Sequence, residues 1–139
     1  MSGLESVAFT VPGVPVPWQR SKQSGKRHYT APEVTGHMER VAYTFQSAVA
    51  DRAGTWALDG VYRLHLTFVL PDYKTRDWDN LAKLVSDALN TLAWHDDNQV
   101  MLGHVEKRVS PDLESCTGVT IVRLGPWPVR DRKAKGKRA

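Results

Sequence analysis

Cysteine is almost absent from this 139-residue chain, and its single one, Cys116, can close no internal disulfide and has no cysteine partner for a zinc site. A disulfide scaffold is thereby excluded, and the composition suits a reducing compartment. The strand-like surroundings of Cys116 predict apolar packing rather than nucleophilic chemistry. Long hydrophobic runs are lacking too: nothing approaches the roughly 18 apolar residues of a membrane span. The opening Met-Ser-Gly-Leu-Glu-Ser lacks the basic-then-apolar order of a signal peptide. A cytoplasmic protein with no membrane contact is expected. Internal repeats are absent, and the length fits one domain with a real core and little to spare.

Acidic excess is also missing, since the formal net charge is +4. The distribution says more than the sum. Between residues 130 and 138 six basic residues face one acid, a net of +5, so residues 1 to 129 carry 4 − 5 = −1. The body is nearly neutral with a basic tail, which predicts a domain over residues 1 to 125 and a flexible basic segment over 126 to 139. A second basic cluster, Arg20, Lys22, Lys26 and Arg27, lies in a Gly/Ser/Pro-containing loop. Solvated loops would look the same, but cations set apart from acids also suit a polyanion lying across the surface.

Val7, Phe9 and Val11 alternate as a strand ended by Pro12-Gly13, and residues 13 to 31 read as a loop. From Pro32 to about Ala53 apolar residues recur at the helical period, closed by Gly54. Tyr62, Leu64, Leu66, Phe68 and Leu70 alternate with polar residues up to Pro71, giving a strand with one buried face. Leu81, Leu84, Val85, Ala88, Leu89 and Leu92 predict a second helix over residues 79 to 92. Strands over 99 to 109 and 117 to 124 complete an α+β fold, a two-layer sandwich with two helices on one face of a small mixed sheet.

The run from residue 72 to 99 holds six carboxylates, Asp72, Asp77, Asp79, Asp87, Asp96 and Asp97, against three bases, Lys74, Arg76 and Lys83. Converging carboxylates repel unless cations neutralise them, and hard divalent ions bound by oxygen are the usual remedy. Asp77 and Asp79, two apart in a segment leaving a strand, point the same way and could reach one metal. Lys83 lies one turn above Asp79, opposite the apolar stripe, where it could offset the acids or contact phosphate. Of Asp96 and Asp97, neighbours at the head of a strand, one joins the pair. Taken singly, Asp79 could be a helix cap, Lys83 its ion-pair partner and Asp96-Asp97-Asn98 a turn. Those readings do not explain the set.

The pattern Asp77-x-Asp79-Asn80-x-x-Lys83-x-x-x-Asp87-Ala88-Leu89, followed by Asp96-Asp97-x-Gln99, resembles the signature of the RusA-like Holliday junction resolvases of phages and prophages. The resemblance extends to Lys107 as a basic position and to the N-terminal strand that enters a proline-bearing basic loop. It implies a compact α/β domain, a homodimer, and Mg2+-dependent phosphodiester hydrolysis in which Mn2+ can substitute. It places the metal acids on Asp77, Asp79 and Asp97, choosing Asp97 over Asp96, and the catalytic lysine on Lys83. Four-way DNA is the implied partner, held on its phosphates by Arg20, Lys22, Lys26, Arg27, Lys74, Arg76 and Lys107. A bacterial or phage-infected cytoplasm and a pathway of recombination, repair or phage DNA processing follow from the same likeness. Here the basic run before the motif is thin, Lys74 and Arg76 only, and the basic tail is no part of the signature. Trp18, beside the basic loop, reads as a packing residue or a base wedge, and His95 as a structural or solvent-facing histidine. A flap or nicking metal nuclease would use the same acids, whereas a non-catalytic binder of branched DNA would not need them.

Overall fold

The computed structural model describes residues 3 to 25 and 27 to 128; Lys26 and the basic tail lie outside them. In chain order the elements are β1 (Ser6–Pro12), β2 (Lys22–Ser24), β3 (Arg27–Tyr29), α1 (Pro32–Ala50), β4 (Gly60–Leu70), α2 (Trp78–Ala88), a 3-10 turn (Asp97–Gln99), β5 (Val100–Val109) and β6 (Cys116–Pro126). Four strands form one sheet in the order β1-β6-β4-β5. β4 and β5 run parallel, and the β1–β6 and β4–β6 pairs are antiparallel. The parallel pair follows from the chain between them, because a parallel neighbour needs a crossover and α2 supplies it.

The alternation seen in the sequence of β4 separates two faces. Tyr62, Leu64, Leu66, Phe68 and Leu70 are buried, while Arg63 and His65 are exposed. The inner residues meet Val7 and Val11 of β1, Val119 and Ile121 of β6, and the apolar stripes of both helices. Each fully buried Leu or Val contributes roughly 1.5–3 kcal/mol. A chain of aromatic contacts, Phe9 to Phe45 to Trp56 to Tyr62 to Trp94, with centroids 5.7–5.9 Å apart, carries the core from β1 to the segment after α2. The two-layer α+β arrangement is the one the sequence predicts.

Several boundaries differ from the sequence expectation. The stretch read as a loop over 13 to 31 contains a small hairpin, with Lys22 opposite Tyr29 and Ser24 opposite Arg27. Its turn is at Gly25, whose φ of 62° suits glycine. α1 stops at Ala50, four residues before Gly54. α2 starts at Trp78 and ends at Ala88 rather than spanning 79 to 92. Past Leu89 the chain turns tightly, with Thr91 at a φ of 70° and its N–H donating to the Trp94 carbonyl at 2.7 Å. The turn drops Ala93 and Trp94 into the core, so apolar residues beyond the helix look like helix in sequence. No helix among the described residues is long and apolar enough to cross a membrane.

Candidate active site

The first turn of α2 is set by Asp77, whose extended backbone (φ −68°, ψ 132°) makes it the N-cap. Its carbonyl accepts the first helical bond from Leu81 N at 3.0 Å, but its carboxylate makes no hydrogen bond to the helix it caps. The N-cap position therefore falls to Asp77 rather than to Asp79, with no side-chain cap. Trp78 opens the helix and is 60% exposed, so Asp77 and Asp79 lie at a helix start rather than in an extended segment. Asp79 is exposed in the same turn, with its Oδ1 accepting Asn80 N at 2.9 Å. The positive end of the helix dipole favours both carboxylates there.

Asp79 and Lys83 of α2, and Asp97 of the turn before β5, line one open cleft of about 370 Å³, which also touches Trp78, Ala82 and Ser86. Its floor is apolar, made by Leu64 and Leu66 of β4 with Val100 and Val105 of β5. Asp77 is on the helix lip beside it rather than among its lining residues. Lys83 pairs with Asp87 one turn further up, at 3.5 Å, and not with Asp79 as the spacing allowed. Its Nζ also lies 4.8 Å from the centroid of the Trp18 ring. Trp18 is fixed by its backbone N–H, which donates to the Asn80 carbonyl at 2.8 Å. The proline-bearing loop is thus tied to the first turn of α2, and Arg20, two residues on, is exposed.

Asp96 and Asp97 are separated by a capping turn, not by strand alternation. The Asp96 carboxylate accepts Asn98 N at 3.3 Å, and the Gln99 side chain returns to the Asp96 N–H at 3.1 Å, a reciprocal capping box. Asp96 thus caps the turn, and Asp97 lines the cleft. Burial and the nearby charges of Asp96 and Asp87 push the Asp97 carboxyl above its usual range, with Lys83 opposing the rise. Carboxylates crowded in this way need positive charge, and Lys83 supplies only part of it.

Gln99 is the residue whose role the sequence reading did not give. It is buried, and all four of its hydrogen-bonding positions are filled. Oε1 accepts from His95 N and Asp96 N at 3.0 and 3.1 Å, and Nε2 donates to the Leu58 and Gly60 carbonyls at 2.7 and 2.9 Å. Asp97 is thereby held at a fixed distance from the start of β4. The capping spacing Asp96-x-x-Gln99 was the signal available.

The basic residues divide by what already holds them. Arg76 is paired with Asp72 at 2.8 Å and its side chain is only 14% exposed, so it braces the loop. Lys107 Nζ donates to the Arg76 carbonyl at 2.8 Å, tying β5 to the same loop while leaving two of its three N–H groups for other acceptors. Lys74 is exposed, and its N–H donates to Asp72 Oδ1 at 3.0 Å. Lys22 and Arg27 belong to the β2–β3 hairpin, and Lys26 lies outside the described residues. His95 is exposed and lends the turn only its backbone N–H.

Residues 12–125, most of the chain, match the family described as Endodeoxyribonuclease RusA. The chain belongs to the RusA family. Comparison with curated proteins finds no match. Family membership makes this a Holliday junction endonuclease by class, and the matched span contains the whole cleft. The carboxylate oxygens of Asp79 and Asp97 in this cleft suit a hard divalent ion in chemistry. The fit rests on Asp79 and Asp97 lining one cleft; burial first, and then the charges of Asp96 and Asp87, raise the Asp97 carboxyl, and a cation there would offset both.

Proposed function

We propose that this chain resolves four-way DNA junctions by Mg2+-dependent phosphodiester hydrolysis, with Mn2+ able to replace Mg2+. The observation that carries the reading is the convergence of Asp79, Lys83 and Asp97 on one cleft within a RusA-family chain. Asp77, Asp79 and Asp97 would hold the ion, which when bound activates water for in-line attack and stabilises the departing 3′ oxygen. Lys83, braced by Asp87 and the Trp18 ring, offsets charge on the scissile phosphate. The cation–ring contact supports Trp18 as a positioning residue rather than a base wedge. Asp87 acts through Lys83 and Asp97.

Arg20, Lys22, Lys26, Arg27, Lys74 and Lys107 supply phosphate contacts, while Arg76 contributes fixed charge from behind the loop. The working unit is a homodimer, since paired cuts on opposed strands need two symmetric sites. Residues 1 to 125 form the nuclease domain, and the basic segment 126 to 139 adds salt-sensitive affinity. The setting is recombination, repair or phage DNA processing in a bacterial cytoplasm.

Cleavage of four-way, forked and linear DNA in Mg2+ tests this reading. Paired symmetric cuts on the four-way substrate, well above the rate on linear duplex, are the expected result. Faster cutting of forked DNA would make it a flap-type nuclease, and tight junction binding with no cutting would make it a non-catalytic binder.

A further inference from the structure

The face of the sheet away from the helices carries a second group of metal-ligating side chains, unconnected with the aspartate cleft. β4 and β5 pair in parallel register with His65 directly opposite His104 and Thr67 opposite Glu106. His65 is on the solvent side of β4, where its neighbours Leu64 and Leu66 are buried, and His104 and Glu106, two apart, share one side of β5. The imidazole centroids lie 4.3 Å apart at 36°. Among the described residues, His65, His104 and Glu106 form a trio whose ligand atoms all lie within 4.8 Å of one another. The cleft aspartates are not gathered so tightly.

We infer that His65, His104 and Glu106 form a binding site for a borderline transition-metal ion of the Zn2+ class. Two imidazoles and one carboxylate are a set that Zn2+ accepts with a fourth position open, whereas Mg2+ prefers oxygen alone. Ligand atoms about 2.0–2.2 Å from a tetrahedral ion are about 3.4 Å apart, so closing from the present spacing requires small rotations of side chains that solvent leaves free to move. Glu106 is already oriented from outside the trio. Its Oε1 accepts from Thr67 Oγ1 at 3.2 Å and from Arg108 Nη2 at 3.4 Å, and its Oε2 from Arg108 Nε at 3.4 Å. The guanidinium of Arg108 holds its carboxyl below the usual range, and partners of this kind fix a ligating carboxylate. His65 and Thr67 also line a shallow groove of about 300 Å³ that runs past Gly118 and Thr120 toward Ala8 and Thr10 of β1. The open coordination position can therefore be filled by water or a small ligand.

The test is Zn2+ binding to the untagged full chain in competition with a chromophoric chelator, in excess Mg2+, with Co2+ absorption as a second readout. One equivalent per chain is expected. His65→Ala and His104→Ala should each weaken binding by more than 100-fold and Glu106→Gln by about 10-fold, while Asp97→Asn and His95→Ala should leave it unchanged. Circular dichroism of the exposed-site variants checks that they fold. Failure of the wild type to bind stoichiometrically, or loss of binding in Asp97→Asn with retention in His104→Ala, would overturn the inference without touching the nuclease assignment.

Discussion

Asp97→Asn is expected to reduce junction cleavage by more than roughly 10³-fold, the upper end of what loss of one preorganised electrostatic group costs, while the protein becomes no less stable and binds junction DNA as well or better. The three outcomes share one cause. In the fold the Asp97 carboxyl is raised by burial and by Asp96 and Asp87. A carboxyl whose folded value exceeds the unfolded value of 3.8 carries no penalty below that value; the penalty builds as pH rises from there and is complete above the raised value. Near neutral pH, without metal, Asn removes that penalty and a negative charge that DNA phosphate must approach. Thermal melts without divalent ion, filter binding in Ca2+ and single-turnover cleavage in Mg2+ measure the three effects. Near wild-type cleavage, or a large loss of stability, would contradict this account of Asp97.

Gln99→Leu should be the most destabilising single change near the site, by about 4 kcal/mol or more, because it leaves the buried Gly60 carbonyl, the half-buried Leu58 carbonyl and two backbone N–H groups without partners, each worth roughly 1–3 kcal/mol. Packing alone does not predict this, since leucine fits a buried position of similar size. Gln99→Glu keeps an acceptor for the His95 and Asp96 N–H groups but sets a carboxylate against the carbonyls of Leu58 and Gly60. It should be destabilising to a similar degree. Both variants loosen the turn carrying Asp97, so cleavage should fall by about 10²-fold even where the protein stays folded, as small displacements of reacting groups do. Urea unfolding midpoints and single-turnover rates at 15 °C separate the two effects.

The parts of the molecule governed by local periodicity were legible in the sequence. The alternation of Tyr62 to Leu70 gives β4 and its buried face, and the three-and-four spacing of Leu81, Leu84 and Val85 gives α2 and leaves Asp79 and Lys83 off the apolar stripe. What was not legible depends on partners distant in sequence. Leu89 and Leu92 are apolar because they pack on the core around a tight turn, not because α2 continues to them. Asp96 is the cap of a turn closed by Asn98 and Gln99, which alternation along a strand could not reveal. The facing of His65 and His104 exists only through the parallel register of β4 and β5, which a crossover helix sets and no local pattern encodes. The β2–β3 hairpin has strands of three residues, too short to show a period.

The central claim is that the cleft between α2 and the head of β5 holds the reactive metal. A crystal of the protein soaked in Mn2+ tests it most directly through anomalous scattering. The account predicts an anomalous peak bonded to carboxylate oxygens of Asp79 and Asp97, with Asp77 alongside, and its disappearance in Asp97→Asn. A peak confined to His65, His104 and Glu106, with none between the aspartates at millimolar Mn2+, would contradict it.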